Sequence, residues 1–337
     1  MTIRDVAERA GVSPATVSRV LNKPEMVEEE TKERVREAMD ALNFQPNALA
    51  RGLSTQRFDT IGLVVPGITD LFFNELYRGI HEASRAHGLK VLLFDSQHSR
   101  HQALEGFTFL HQHQVNGIIF TSKLVTEDFD PVLERIGIPV ALVLTQSQGR
   151  VKLPAFKVDD VRAVFDSVSY LVARGHRRIG MIAGQHEDDI TGSLRLEGFL
   201  QAHRFYQLPV LEGQVQYGDY RFAGGYQAMM RMLEHMESLR LTAICAASDE
   251  MALGAMRCLY DQGYRVPQDL SVIGFDDLSI AQMVTPTLTT VRQPFAEIGA
   301  RAVEWLVRAS GGIQPDNGVC YLGHEIVERE SVRSIAT

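Results

Sequence analysis

Residues 13–23 read SPATVSRVLNK, a short stretch in which apolar side chains recur among small hydrogen-bonding ones. Val17, Val20 and Leu21 share one face at helical spacing, so the stretch predicts a helix with one buried side. The other side presents hydroxyls, an amide and Arg19, which are groups that contact phosphates and base edges in the major groove of DNA. A surface helix whose polar face is only solvated is the alternative.

The flanking sequence predicts two more short helices. An apolar repeat over residues 3–10 ends at Gly11, and an acidic first turn at residues 28–30 opens the third helix. Between them, Ser13 supplies an N-cap and Pro14 a favoured first helical residue. Three short helices joined by tight turns indicate a helix-turn-helix bundle.

The segment after the bundle, NFQPNALARGLSTQR at residues 43–57, predicts a hinge. It has a turn at Pro46, an N-cap candidate at Asn47 and room before Gly52 for a helix of about two turns, which is too short to be stable alone. A helix that folds only when held between two DNA half-sites can wedge Leu53 into a minor-groove base step. A plain interdomain linker is the alternative, but the Ala, Leu and Arg content disfavours it.

From Thr60 onward, apolar runs typical of buried strands alternate with amphipathic helical sequence. The runs are TIGLVVP, KVLLF, GIIF, IPVALVL, RIGMIAG, TAICAAS and LSVIGFDD. Their alternation with helices predicts parallel sheets covered by helices on both faces, and the length of the segment predicts two of them. The fold class is therefore α/β, with a three-helix headpiece, a hinge helix and two doubly wound parallel-sheet subdomains.

Ligands of such sheets bind beyond the carboxyl ends of the strands, where this sequence has polar and aromatic residues. Those residues are Phe72, Phe73, Asp188, Asp189, Thr191, Arg195, Ser248, Asp249, Asp276 and Asp277. Carboxylates and arginine can bind sugar hydroxyls, and an aromatic ring can lie against a pyranose or a purine. Each aspartate taken alone could be a helix N-cap, but the convergence of several predicts a ligand cleft.

Composition and motifs exclude several classes of protein. The chain has 337 residues and net charge −8, yet residues 1–57 hold nine Lys or Arg and nine Asp or Glu, so the acidic excess belongs to the remainder. No GxGxxG follows the first strand, no GxxxxGK[ST], HExxH or GxSxG motif occurs, and three separated cysteines indicate neither a disulfide framework nor a metal site. The histidines are assigned to a solvated helix face; they are His98, His101, His111 and His113. We predict no enzyme, no cofactor and no metal.

Seven motifs carry a resemblance to a known family. TIRDVAERAGVSPATVSRVLN, NFQPNALARGL, IGLVVP, GHRRIGMIAG, SDEMALGAM, VPQDLSVIGFDD and TPTLTTVRQP, in this order from Thr2 to about Glu330, resemble the lactose repressor (LacI/GalR) family of bacterial transcription regulators. The resemblance implies a core like type I periplasmic binding proteins. The implied domains are a DNA-binding headpiece at 1–46, a hinge helix and linker at 47–58, and an effector-binding and dimerisation core at 59–337, whose subdomains are 59–158 plus 292–320 and 159–291 plus 321–337.

The resemblance also implies which residues contact DNA. They are Thr2, Ser13, Pro14, Ala15, Thr16, Ser18, Arg19 and Asn22 in the headpiece, and Asn47, Ala48, Ala50, Arg51 and Leu53 in the hinge. Pro14 and Ala15 hold the positions that the family uses most to choose operators, and neither side chain can donate a hydrogen bond. Direct readout is therefore expected to depend on apolar contact and on Arg19.

The effector contacts implied by the resemblance follow the strand ends. They are Phe72, Phe73, Asp189, Thr191, Arg195, Tyr220, Ser248, Asp276 and Gln293. This set suggests a hydroxyl-rich ligand such as a sugar, a sugar acid or a sugar phosphate, and less readily a purine.

The predicted function is a repressor of carbohydrate-utilisation genes that binds a near-palindromic operator as a homodimer. Ligand closure of the cleft would change operator affinity, by induction or by corepression. No heptad repeat follows Glu330, which favours a dimer over a tetramer. The N-terminus lacks a signal peptide and no apolar run reaches eighteen residues, so we expect a cytoplasmic protein that is nucleoid-associated when bound to its operator.

Two alternatives accompany this prediction. One branch of the family responds to a phosphorylated carrier protein, but Ala296 and Glu304 stand where that branch tends to have an aromatic and a basic residue. A sugar-binding protein without a DNA role would share the core, but it would lack the headpiece present here.

Overall fold

The computed structural model describes residues 1–22, 24–44, 59–121, 124–185, 191–313 and 316–335. The chain divides into two compact units, Met1–Asp59 and Thr60–Thr337. The predicted hinge contacts lie outside the described residues; they are Asn47, Ala48, Ala50, Arg51 and Leu53. No described helix is both long enough and apolar enough to cross a membrane.

The smaller unit contains three helices, α1 (Ile3–Ala10), α2 (Pro14–Asn22) and α3 (Glu29–Ala41), which confirms the predicted helix-turn-helix region. Gly11 ends α1 in the left-handed region, at φ 66°, and this conformation allows the tight turn into α2. The helices share an apolar core that consists of Val6, Ala7, Ala10, Val17, Val20, Val35 and Ala38. Burying Val17 and Val20 turns the polar side of α2 outward.

The larger unit is built from strands and helices that alternate along the chain. Its strands are β1 (Thr60–Val65), β2 (Lys90–Asp95), β3 (Ile118–Thr121), β4 (Val140–Val143), β5 (Ala155–Val158), β6 (Ile179–Ala183), β7 (Val215–Tyr217), β8 (Ala243–Ala246), β9 (Ser271–Asp276), β10 (Thr289–Arg292), β11 (Val319–Leu322) and β12 (Glu325–Val327). Its helices are α4 (Leu71–Ala86), α5 (Arg100–Gln112), α6 (Asp130–Ile136), α7 (Asp160–Ala173), α8 (Thr191–Phe205), α9 (Phe222–Leu233), α10 (Met236–Leu239), α11 (Asp249–Asp261) and α12 (Phe295–Ser310).

The strands form two sheets, as predicted, and each sheet has six strands. The first has the order β11-β5-β4-β3-β1-β2 and is parallel throughout, and the second has the order β12-β10-β9-β8-β6-β7. In the second sheet the edge strand β12 runs antiparallel to β10, which the prediction of wholly parallel sheets missed. We call the first sheet with α4, α5, α6 and α12 the first lobe, and the second sheet with α7 to α11 the second lobe.

The chain passes between the lobes at three short connections within its described part, namely after β5, after β10 and after β11. The predicted boundary between residues 320 and 321 cuts β11, which continues to Leu322 as part of the first sheet. This edge strand is largely exposed, so its sequence lacks the continuous apolar run by which most of the inner strands were predicted.

Successive side chains of the first sheet point to opposite faces, and each face has its own core. Ile61, Leu63 and Val65 of β1 pack with α4 and α12, whereas Val64 packs on the side of α5 and α6. The second lobe buries one large cluster around β6, β8 and β9. With both faces covered, the polar carboxyl ends of the strands are what remains open for a ligand.

Helices α4 and α12 approach so closely that Gly79 has no room for a side chain. A Cβ atom built at Gly79 would lie 2.0 Å from the carbonyl oxygen of Ala296. We expect Gly79→Ala to lower the free energy of unfolding by about 1 to 3 kcal/mol, because the helices must move apart. Urea denaturation would measure this loss.

The matched control is Gly323→Ala, since a Cβ atom at Gly323 meets no heavy atom within 4 Å. This variant is expected to unfold like the wild type. If Gly79→Ala instead gains the stability that alanine usually gives a helix interior, the close approach of α4 and α12 is wrong.

Candidate functional site

The outer side of α2 carries the predicted DNA contacts of the headpiece. Pro14, Ala15 and Arg19 are exposed, and Thr16 and Ser18 are half-buried. Ser13 lies at the start of the helix, where its Oγ accepts a hydrogen bond from the Thr16 N–H at 3.1 Å. The predicted N-cap therefore forms, and the exposed side chains beside it stay available to a partner.

The remaining headpiece predictions are less complete. Thr2 is exposed at the start of α1, and its N–H donates to Asp5 Oδ2 at 2.7 Å. For Asn22 the structure describes the backbone alone. The contacts predicted for Thr2 and Asn22 remain predictions.

A cavity of about 420 Å³ lies between the lobes, beyond the carboxyl ends of strands from both sheets. We call it the cleft. Seven of the predicted effector contacts line it, and they are Phe72, Thr191, Arg195, Tyr220, Ser248, Asp276 and Gln293. Asp189 lies outside the described residues. A cavity of this size falls within the range of roughly 300 to 1,000 Å³ typical of small-molecule sites.

Arg195 is the central cation of the cleft. It projects from α8, its side chain is 5% exposed, and its Nε donates to Asp160 Oδ1 at 2.9 Å. The guanidinium carbon lies 3.7 Å from the centre of the Phe275 ring. Burial alone would lower the pKa of Arg195, but the nearby carboxylates of Asp160 and Asp276 have the larger effect and raise it.

The Asp160 carboxylate holds a second cation. Lys157 on β5 is almost fully buried, and its Nζ lies 2.9 Å from Asp160 Oδ2. Asp160 thus receives one cation from the first lobe and Arg195 from the second, at the connection after β5. A buried charge is tolerated when it is paired in this way.

Asp276 ends β9 and turns its carboxylate into the cleft. Its φ of 121° is unusual for a residue with a side chain, and Gln293 Nε2 donates to its Oδ1 at 2.7 Å. Burial raises the pKa of Asp276 to about 7, against the opposing effect of Arg195, whose Nη1 lies 3.9 Å away. Near neutral pH, Asp276 can therefore both accept and donate hydrogen bonds to a ligand.

A cross-lobe ion pair lies at the mouth of the cleft. Arg221 of the second lobe donates to Asp70, which directly precedes α4 in the first lobe. His98 Nε2 lies 3.2 Å from Arg221 Nη2 and 3.5 Å from Asp70 Oδ2. On the second lobe, Glu250 lies 3.8 Å from Arg221 Nη1. These contacts bridge the two lobes.

An apolar wall faces these charges. Phe72 and Phe295 stack at 6.1 Å with an interplanar angle of 29°, and both line the cleft. Phe73, the other predicted contact on α4, is not among the residues that line the cavity and packs against Tyr77 at 5.6 Å. Neighbouring residues of a helix point about 100° apart, so α4 directs only one of the two rings into the cleft.

Sequence reasoning missed seven charged residues that line the cleft, namely Asp70, His98, Lys157, Asp160, Asp219, Arg221 and Glu250. Lys157 and Asp160 lie at the end of β5, but AFKV was not among the predicted strands, so the strand-end signal did not reach them. No pattern pairs Asp70 with Arg221, which lie 151 residues apart in sequence. Among the described residues, no three His, Cys, Asp or Glu side chains come together as metal ligands do.

Comparison with known proteins decides the family. Residues 2–47 match the model for bacterial regulatory proteins of the lacI family, and residues 168–332 match a periplasmic binding protein-like domain. Catabolite control protein A of Priestia megaterium is 35% identical over 333 residues, which are 99% of this chain and 99% of that protein. The chain belongs to the lacI family.

Two further similarities extend over the whole regulator. The HTH-type transcriptional repressor CytR of Escherichia coli (strain K12) is 34% identical, over 99% of this chain and 97% of that protein. The crystal structure of the lac repressor dimer bound to operator and the anti-inducer ONPF matches with a TM-score of 0.89 at 30% identity, over 99% of each chain. This chain, as a member of the lacI family, is therefore a DNA-binding transcription regulator, as the sequence predicted.

The ion pair at the mouth predicts an energetic coupling between the lobes of this regulator. We expect Asp70→Asn and Arg221→Gln to be non-additive by about 1 kcal/mol or more in a double-mutant cycle of unfolding free energies, because Asp70 is only 5% exposed. Burial opposes ionisation of Asp70, but hydrogen bonds from His98 and Arg221 outweigh it and lower its pKa. The coupling should therefore be complete above the unfolded pKa of about 3.9 and disappear as the pH falls through the lowered value.

The control pair is Glu297 and Arg301, which are 3.3 Å apart on α12 and more than half exposed. Their cycle is expected to be close to additive. Equal coupling for the two pairs would show that Asp70 and Arg221 do not hold the lobes together.

Proposed function

We propose that this regulator is a homodimeric repressor of carbohydrate-utilisation genes whose operator affinity is set by a small sugar-like ligand in the cleft. The observation that carries the proposal is the cleft itself, in which Arg195, Asp160 and Asp276 form a buried polar floor beside the Phe72 ring. Hydroxyl groups can bond to such a floor while the face of a sugar ring lies against the aromatic wall.

The headpiece supports the DNA-binding half of the proposal. Arg19 projects from the exposed side of α2, beside Pro14 and Ala15, in the position from which a second helix reads the major groove. We further propose that the headpiece and hinge residues implied by the family resemblance contact the operator, with Leu53 as the intercalating residue. The lac repressor, to which this chain is similar, is a dimer bound to operator in its crystal structure.

Control by the ligand would follow from closure of the cleft. A ligand that contacts both lobes favours the arrangement in which they are close, and it shifts the regulator only as far as its affinity differs between the two arrangements. If operator affinity also differs between them, DNA and ligand influence each other by the same factor. We expect binding without chemical turnover, in the cytoplasm.

A phosphorylated carrier protein is the second candidate effector, because Catabolite control protein A is as similar to this chain as CytR is. The exposed side of α12 does not favour such a partner. Its charged residues alternate in sign along the helix, and Arg301 is already paired with Glu297. A partner with phosphate and acidic groups would need an excess of basic side chains there.

The proposal is tested by DNA selection followed by ligand titration. Sequences selected from a random pool should be near-palindromic, and log affinity should fall linearly with log salt. A sugar that raises the melting temperature of the protein should also change its operator affinity. Loss of salt dependence and of sequence preference would remove the DNA-binding role.

Arg19 is expected to contribute to sequence readout. Arg19→Ala should weaken binding to the selected operator by about 1 to 3 kcal/mol and relax specificity at one base position. Fluorescence anisotropy on a set of single-base operator variants measures both effects. The control is Arg34→Ala, which removes the same charge from an exposed position on α3. Equal losses for the two variants would assign Arg19 a merely electrostatic role.

Phe72 and Phe73 provide a matched pair in the ligand site. For the sugar that gives the largest rise in melting temperature, Phe72→Ala should weaken binding by about 1 kcal/mol or more, because the ring supplies the apolar wall. Phe73→Ala removes the same group outside the cavity and should leave the affinity unchanged. Isothermal titration calorimetry gives both values, and the reverse order would contradict the placement of the wall.

A further inference from the structure

The charges of the cleft indicate which chemical class of sugar it accepts, and this inference rests on the proposed function because it concerns the ligand of that site. The described lining of the cleft contains five carboxylates, of Asp70, Asp160, Asp219, Glu250 and Asp276. Against these stand three permanent cations, Lys157, Arg195 and Arg221. Burial raises the pKa of Asp276 to about 7, so it is only partly ionised near neutral pH, but the other four carboxylates still outnumber the three cations and leave an excess of negative charge before any ligand enters.

Each cation of the lining is already engaged by a carboxylate. Lys157 and Arg195 both hold Asp160, at 2.9 Å each, and Arg221 holds Asp70. The two cations of the floor are at most 5% exposed. Because Asp160 already balances part of their charge, a phosphate or carboxylate on a ligand would gain less from these two cations than from unpaired ones.

The carboxylates in excess face the ligand space as acceptors. Glu250 and Asp276 lie on the second lobe, and burial is the main cause that raises the pKa of each. Asp219 Oδ1 accepts a hydrogen bond from the backbone N–H of Arg221 at 3.0 Å. Carboxylates accept hydrogen bonds and repel further anions, so they match the donor hydroxyls of a neutral sugar.

We infer that the effector of this regulator is a non-anionic sugar, and that the cleft excludes sugar phosphates and sugar acids. The excess carboxylates of Asp219 and Glu250, together with the occupied state of Lys157 and Arg195, are what exclude them. A neutral sugar would donate its hydroxyl hydrogens to these oxygens and place its ring beside Phe72.

Matched pairs of ligands test the inference. The probes are glucose, galactose, ribose, maltose, cellobiose and sucrose, each measured beside its monophosphate and, where one exists, its uronic or aldonic acid. Melting temperature identifies binding, and calorimetry gives the dissociation constants. At least one neutral sugar is expected to bind, with its anionic counterparts on the order of 100-fold weaker.

A charge-removal variant tests the cause. In the double variant Asp219→Asn and Glu250→Gln, the monophosphate of the binding sugar should gain about tenfold or more in affinity, because two nearby negative charges are gone. The control is Glu127→Gln with Glu237→Gln, which makes the same change at exposed positions outside the cleft. The control should keep the wild-type discrimination. Discrimination that is unchanged in the double variant would overturn the inference.

The remaining outcomes are also decisive. A sugar phosphate or acid that binds as tightly as its neutral parent would overturn the inference, and if that ligand changes operator affinity the proposed function still stands. Failure of every neutral sugar would overturn it as well. Failure of every compound to alter both melting temperature and operator affinity would remove the proposed sugar control itself.

Discussion

The two lobes are linked at the cleft by the need to balance the charge of one buried cation, Arg195. Arg195 enters the cleft from the second lobe with almost no exposure to water, so its charge must be balanced inside the protein. Asp160 balances it at the connection between the lobes, and Asp160 is in turn shared with Lys157 of the first lobe. The positions of β5, α7 and α8 therefore depend on each other. A ligand that reaches this floor contacts a network that already belongs to both lobes.

Much of the architecture was predictable because it depends on local pattern. Continuous apolar runs located the inner strands except β5 and β10, and the rule that ligands bind at strand ends led to Arg195, Ser248 and Asp276. The edge strand β11 was not predicted, because an exposed strand has no such run. Lys157 was not predicted for a related reason. A lysine within the segment AFKV is expected to be exposed, and its burial is explained only by its pairing with Asp160.

The contacts that sequence reasoning could not reach are long-range ones. The pairing of Asp70 with Arg221 joins positions 151 residues apart, and it forms only because two lobes place their loops at a common mouth. The choice between Phe72 and Phe73 depends on the rotation of α4 about its axis, which is set by packing against α12. Such details are decided by tertiary structure. Local propensity carries no information about them.

The three connections between the lobes have a mechanical consequence. Three connections, each only a few residues long, oppose separation and sliding of the lobes, whereas bending at these connections changes few backbone dihedrals. Bending is therefore the relative motion of the lobes that the connections oppose least. Since β1 is the first strand of the first lobe, bending of the lobes also moves the point at which the chain enters the core. A change in the angle of the cleft is thus also a change in the position of the start of β1 relative to the second lobe.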